Sequence, residues 1–270
     1  MNQINKTNQF DAETIAIGTE LLIGGRSDSN SLFLAEELGK LGIAVRFKSV
    51  VGDERQDIVT AIHTAVKRAR VIVMTGGLGP TVDDCTREAV ADATGQRLSC
   101  RKDALEDLTA RLAQWGRIPT TAQLRQALIP SGATVLKNPV GSAPGFCLTW
   151  KKALLVSLPG VPREMEEMMR QEVLPLLRSA HESSGEPPRV PIARQVFHTF
   201  GLAEADVDAK LQGLIPKGAP VDLGLLASPM GVLVSLTTKG NQSTPEMQRD
   251  LFQRLANEVR SRLGEWLFAE

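Results

Sequence analysis

Val71-Ile-Val-Met-Thr-Gly-Gly-Leu-Gly-Pro-Thr-Val-Asp-Asp84 is the stretch on which the reading of this 270-residue chain turns. Val71 to Met74 is a short apolar run, as a strand buried on both faces requires. Thr75 to Thr81 then breaks the run, and glycines at 76, 77 and 79 let backbone amides come close to a ligand. From Asp84 through Ala93 the pattern is helical, and a helix starting there adds free N–H groups and the positive end of its dipole. Strand, glycine loop and helix together suit a phosphate. Thr75 and Thr81 supply hydroxyls, whereas Asp83 and Asp84 would repel an anion unless a divalent cation bridged the two. The spacing is neither GxGxxG nor GxxxxGK[ST], which argues against ordinary dinucleotide and Walker sites. A tight strand-to-helix turn with an aspartate cap is the competing reading of the glycines alone.

Upstream, Thr14 to Ile17 reads as a buried strand ending at Gly18. Leu32, Leu34, Ala35, Leu38 and Leu41 follow at helical spacing, then Ile43 to Val51 alternates like a strand and Asp53 to Ala69 reads as a helix. The order β-α-β-α-β predicts a parallel sheet with right-handed crossovers. In such a sheet the loops after the strands open on one edge, where ligands bind. Gly18 to Asn30 and Gly52-Asp53 therefore share an edge with the glycine loop. Glu20, Asp28 and Asn30 could meet sugar hydroxyls or a heterocycle, although Asp28 and Asp53 serve equally well as helix caps and Glu20 as a solvated charge.

Downstream, helices are expected over 103–114 and 120–127, and strands over 134–136, 146–149 and 154–158, the last two as a hairpin around Trp150-Lys-Lys152. Pro162 to Leu177 predicts a helix with Met165, Met168 and Met169 on its core face and Pro175 bending or ending it. Two stiff segments flank these strands, Asn138-Pro-Val-Gly-Ser-Ala-Pro-Gly-Phe146 and Leu158-Pro-Gly-Val-Pro-Arg-Glu-Met165. His181 to Pro188 reads as a linker, and β-α-β-β-α follows: strands over 190–199, 221–227 and 232–238, helices over 203–212 and 245–263. The expected division is a polar extension over 1–10, an α/β ligand-binding domain over 11–180, a linker over 181–191 and a small α+β domain over 192–270.

Lys plus Arg and Asp plus Glu both total 31, so no overall field favours nucleic acid or an anionic membrane. Met1 to Phe10 lacks the features of a secretory signal, and no apolar stretch reaches membrane-spanning length, so the cytoplasm is the expected address. Cys85, Cys100 and Cys147 are scattered and read as reduced thiols; His63, His181 and His198 do not suggest a metal site or a triad.

AIGTELLIGGRSDSN, VGD, TGGLGPTVDDCT, NPVGSAPGF and LPGVPREM occur here in the order in which the CinA (competence/damage-inducible protein A) family carries them, and the match spans roughly residues 12 to 177. The tail resembles that family's KH-like domain through GLAEADVDAKL and LASPMGVLVSL. The resemblance implies a mostly parallel, three-layer α/β sheet of the molybdopterin-binding type found in MogA and MoaB, followed by a KH-like α+β domain. It further implies a metal-dependent ADP-ribose pyrophosphatase in the first domain and dimerisation through the second.

By this carry-over Asp83 and Asp84 would bind a divalent metal (Mg, Mn or Co), with potassium as a second ion. Asp83, Asp84 and Glu20 would form the catalytic group. Thr75, Gly76, Gly77, Gly79 and Thr81 would hold phosphates, and Gly18, Thr19, Asp28, Asn30, Asp53, Asn138 and Gly141 the rest of the ligand. Members usually carry a further amidohydrolase-like domain that this sequence does not reach, so nicotinamide mononucleotide deamidation is not expected. Molybdopterin-binding relatives generally have TGGTG followed by Arg-Asp; here Leu78 replaces the second threonine and Asp83 the arginine, which favours a metal-dependent site over a pterin clamp. The alternative is a non-catalytic protein that binds molybdopterin or a nucleotide. No GXXG is visible near 203–215, so the KH-like tail is not expected to bind RNA.

Overall fold

The computed structural model describes residues 11–184, 189–239 and 245–270. These divide into two compact units: one of residues up to Leu38 and 44–184, the other of Gly39–Ile43 and the residues from Arg189 onward.

The first unit begins with β1 (Ala12–Ile17), α1 (Thr19–Leu22), α2 (Ser29–Lys40), β2 (Val45–Val51), α3 (Arg55–Ala65), β3 (Val71–Thr75) and α4 (Thr86–Thr94). β4 (Leu98–Cys100), α5 (Lys102–Gln114), α6 (Thr121–Leu124), β5 (Leu128–Pro130) and β6 (Thr134–Leu136) follow. β7 (Gly145–Trp150), β8 (Ala153–Leu158), α7 (Pro162–Met168) and α8 (Leu174–Ser184) complete the unit. Its main sheet has the order β2-β1-β3-β8-β7-β6. β2, β1, β3 and β8 run parallel; β7 is antiparallel to its neighbours β8 and β6, so that β6 points the same way as the parallel strands. This is the mostly parallel α/β sheet that the strand pattern predicts.

β1 and β3 are buried along their whole lengths because they lie at the sheet's centre, which explains why they do not alternate between apolar and polar residues. Edge strand β2 alternates instead. Within β1, Glu13 is fully buried, and its carboxylate takes two charge-assisted bonds from Arg68 and one from the Ser49 hydroxyl. The β7–β8 hairpin turns on Lys151 and Lys152, both at positive φ (48° and 68°), the turn whose twist matches that of its strands.

Local structure departs from the sequence reading in several places. The helix expected over 120–127 is one capped turn, α6, and a 3-10 turn over Arg125–Ala127; it then passes into β5, which pairs with β4 in a two-stranded ribbon. The sequence reading gave no sign of that ribbon: its three-residue strands carry no period of their own, and β5 lies directly after a segment with helical spacing. Pro175 does not end its helix. A π-helical turn over Met169–Val173 widens the backbone just before it, making room for a ring that would otherwise clash one turn back, and α8 continues to Ser184. The first part of the expected linker, 181–184, is thus helix, while 185–188 lie outside the described residues, as does the polar extension over 1–10.

The second unit contains β9 (Arg194–Thr199), α9 (Glu204–Leu211), β10 (Val221–Ser228), β11 (Gly231–Thr238), α10 (Pro245–Leu263) and β12 (Leu267–Ala269). Its antiparallel sheet has the order β10-β11-β9-β12. Phe197, Val234 and Leu236 from the sheet pack with Val207 and Leu211 of α9 and Ala256 and Val259 of α10. This α+β arrangement is the expected one, with β12 added at one edge.

Candidate functional site

The loops after β1, β2 and β3 meet at the carboxyl edge of the parallel strands, and direct bonds lock them together. Thr19 N–H donates to Asp53 Oδ2 at 2.8 Å, and Asp53 N–H donates back to Thr19 Oγ1 at 3.2 Å. Cys85 Sγ donates to the Asp53 carbonyl at 3.0 Å, tying the second loop to the start of α4. Gly18 N–H bonds the Val51 carbonyl, and Gly76 N–H the Leu158 carbonyl. One carboxylate oxygen of Asp53 and both of its backbone polar groups are therefore engaged by neighbouring loops.

The glycine loop has a specific handedness. Gly76 and Gly77 sit at φ 113° and 65°; a Cβ on Gly76 would lie 2.1 Å from the Ile17 carbonyl oxygen, so no other residue fits there. The carbonyls of Gly76 and Gly77 accept from Thr86 Oγ1 and Thr86 N–H. Those of Leu78 and Gly79 accept from Arg87 Nη1 at 2.8 Å and Nη2 at 3.0 Å. Four successive carbonyls are thus turned onto the first two residues of α4. Because C=O and N–H point opposite ways across a trans peptide, the amides of Gly77, Leu78 and Gly79 are turned the other way. The Leu78 and Gly79 amides donate to no protein group among the described residues. A row of amides facing one side is the arrangement by which backbone nests can hold an anion.

Arg87 was missed by the sequence reading. It is 1% exposed, its Nε has no partner, and Gln126 Nε2 shares the Leu78 carbonyl with it at 3.2 Å. Burial depresses its pKa, with Glu88 and Asp84 acting in the opposite sense. A signal was available: Arg87 lies three residues before Val90, on the buried face of α4, where a cation is out of place.

Beside the nest, Glu20, Arg26, Asp28, Asn30, Thr75 and Gly160 line a cavity of about 100 Å³. Asn30 Nδ2 donates to Thr75 Oγ1 and to the Gly160 carbonyl, both at 2.9 Å, and Thr75 Oγ1 donates on to the Pro159 carbonyl at 2.8 Å. These bonds fix the amide's orientation, leaving Asn30 Oδ1 as a buried acceptor without a partner. An orphan of that kind costs about 1–3 kcal/mol, and a ligand N–H or O–H would relieve it. Asp28 Oδ1 caps α2 by accepting from Ser31 N–H. The Glu20 carboxylate curls back over Gly18, where a Cβ would meet it at 2.6 Å.

The proposed metal pair is divided. Asp84 Oδ2 accepts from Thr81 N–H at 2.9 Å and from the Thr81 hydroxyl, and it rests against Gly79, whose absent Cβ would lie 2.5 Å away. Asp83 is exposed, and its carboxyl is held below the usual carboxylate range, chiefly by the Thr81 side chain. Among the described residues no group of three or more His, Cys, Asp or Glu gathers as a metal cage. This donor set fits only a cation completed by phosphate oxygens and water.

Asn138 and Gly141, expected to touch the ligand, are committed elsewhere. Asn138 Oδ1 accepts from Val140 and Gly141 N–H, and Nδ2 donates to the Ala143 carbonyl and to Glu164 Oε2 at 2.6 Å. Its hydrogen-bonding capacity is used up. Gly141 has no Cβ because Glu164 Oε2 would lie 2.0 Å from it.

A family model described as a probable molybdopterin binding domain matches residues 13–179, and one described as the damage-inducible protein CinA KH domain matches 194–269. A solved structure, the protein CinA from Thermoplasma acidophilum, is 34% identical and covers 62% of this chain and 97% of its own, with a TM-score of 0.58. The chain belongs to the CinA family. Its first unit carries the probable molybdopterin binding domain and its second the CinA KH domain. Among relatives, a putative competence-damage inducible protein of Halothermothrix orenii is 38% identical over 259 residues, 96% of this chain and 60% of that protein. A CinA-like protein of Geotalea uraniireducens is 36% identical over 257 residues, 95% of this chain and 60% of its own length. The chain spans about 60% of the length of these CinA relatives. Among the described residues no helix is long and apolar enough to cross a membrane.

Proposed function

We propose that the first unit binds a small molecule carrying both a phosphate and a heterocycle, of the molybdopterin or nucleotide kind. The observation that carries this is the set of four successive carbonyls, Gly76 to Gly79, turned onto α4 so that the loop's amides face away from it. The phosphate would sit on those amides, and the adjoining cavity with Asn30 Oδ1 would take a donor from the rest of the ligand. Titration calorimetry with molybdopterin and with ADP-ribose, without added metal, tests it. Saturable one-site binding of either is the expected result; heat from neither would remove the reading.

A second reading is a metal-dependent hydrolase acting on the pyrophosphate of ADP-ribose, favoured by the Asp84 carboxylate resting against the loop that would hold the phosphate. Asp83 and Asp84 would hold a Mg, Mn or Co ion that shares phosphate oxygens, with potassium as a second ion, and that ion would polarise the phosphoryl group. Glu20 would accept the proton of the attacking water. Release of AMP and ribose 5-phosphate from ADP-ribose, lost in Asp84→Ala, is the expected sign of this activity. We further propose a cytoplasmic homodimer paired through the KH domain, to be checked by light scattering of the full chain and of one lacking that domain.

A further inference from the structure

We propose that Arg87 is the positioning residue of the anion cradle: its guanidinium turns the Leu78–Gly79 peptide and supplies the positive charge behind it, so that the loop discriminates among ligands by their charge. This rests on the reading of the loop as a phosphate site and deepens it.

Arg87 is buried, and its hydrogen bonds run to two consecutive loop carbonyls, with no carboxylate among its bonded partners. A buried cation that bonds only neutral dipoles is incompletely compensated, and its Nε has no partner at all. Two carboxylates act on it without bonding it: one oxygen of Glu88 faces Arg125 while the other is buried without a partner, and Asp84 is bonded to Thr81. An anion on the amide side of the loop would supply the counter-charge that the bonded partners of Arg87 lack. Holding the Leu78 carbonyl inward also forces the Gly79 N–H outward, because the two belong to one planar peptide. The Gly79 carbonyl is held by the other Nη, and its peptide partner is Pro80, which has no N–H to lose. Arg87, with Gln126 sharing the Leu78 carbonyl, therefore sets the direction of the donor, and Arg87 alone supplies the positive charge that the bound anion would feel.

A role confined to bracing the loop would weaken all ligands alike, whereas a role through charge weakens them in proportion to their own charge. The test uses the full chain with inorganic phosphate, pyrophosphate and tripolyphosphate, comparing wild type, Arg87→Gln and Arg87→Lys by calorimetry and by the melting shift each anion produces. Arg87→Gln is expected to lose about tenfold in pyrophosphate affinity, with a larger loss for tripolyphosphate and a smaller one for phosphate. Arg87→Lys, which keeps the charge but not the fork, should keep the dependence on anion charge while losing overall affinity. If Arg87→Gln does not fold, the Lys variant decides: a flattened charge dependence there overturns the proposal. Equal losses across the three anions, or no binding of any by wild type, would also overturn it. Should pyrophosphate bind in this Arg87-dependent way while neither molybdopterin nor ADP-ribose binds, the cradle stands and the reading of the ligand falls. The reverse pattern, a nucleotide bound with no charge dependence on Arg87, leaves the ligand reading and removes this one.

Discussion

Two glycine-rich loops stand at the same edge of the main sheet and resemble each other in sequence, yet they dispose of their polar groups in opposite ways. In the loop after β3, the helix that follows captures the carbonyls, and the amides are left facing outward. In the loop between β6 and β7, the Asn138 side chain captures the amides of Val140 and Gly141 and completes its own bonding on Ala143 and Glu164. The first loop keeps donors for something else; the second closes on itself. Gly and Pro density marks a tightly specified backbone in both cases, but the direction of the peptide planes separates a loop that leaves amides unpaired from one that braces itself.

Gly76→Ala attacks the contrast most directly. A methyl group there meets the Ile17 carbonyl at a positive φ, so the nest cannot form; a stability loss on the order of 3 kcal/mol by denaturant titration, with ligand binding abolished, is expected. Retained binding in a folded Gly76→Ala protein would show that the amide row is not the site. Asn138→Ala should do the converse, costing about 2 kcal/mol of stability while shifting ligand affinity by less than roughly threefold. A large affinity loss with little effect on stability would move the second loop back into the binding site.

Asn30→Ala removes an acceptor from the cavity, and calorimetry should register a drop of about tenfold in affinity with a stability change under about 1 kcal/mol, because the orphaned Oδ1 disappears with the side chain. Asp84→Asn is expected to give the smallest change and separates the two functional readings. Without metal, removing a carboxylate from the loop should strengthen pyrophosphate binding by about threefold. In the presence of Mg, weaker binding by the same variant would speak for a bridging cation.

Much of this was legible in the residues. The largely apolar runs at 14–17 and 71–74 identify central parallel strands, and the punctuation between them gives the crossovers, because burial on both faces leaves no room for alternation. The loops at the carboxyl edge follow from that topology. Of the three-residue strands only β6 was read from the sequence; β4, β5 and β12 are too short to carry a period of their own, and the π-turn before Pro175 reverses what a proline alone predicts.

The residue types that chemistry needs, glycines 76, 77 and 79, Asn30, Asp83 and Asp84, were set by the sequence itself, as was the sheet that brings their loops to one edge. Which of them remain available was decided only in three dimensions. One carboxylate oxygen of Asp53 is engaged by Thr19 and one of Asp84 by Thr81, the Asn138 side chain is used up by its own loop and Glu164, while Asn30 Oδ1 is left over. The physical reason is that a hydrogen bond satisfied within the protein is no longer offered to a ligand, and partners separated by tens of residues in sequence are fixed by tertiary contact alone. Arg87 is the plainest case: one charged residue on a buried helical face, whose meaning depends entirely on the carbonyls the fold places in front of it.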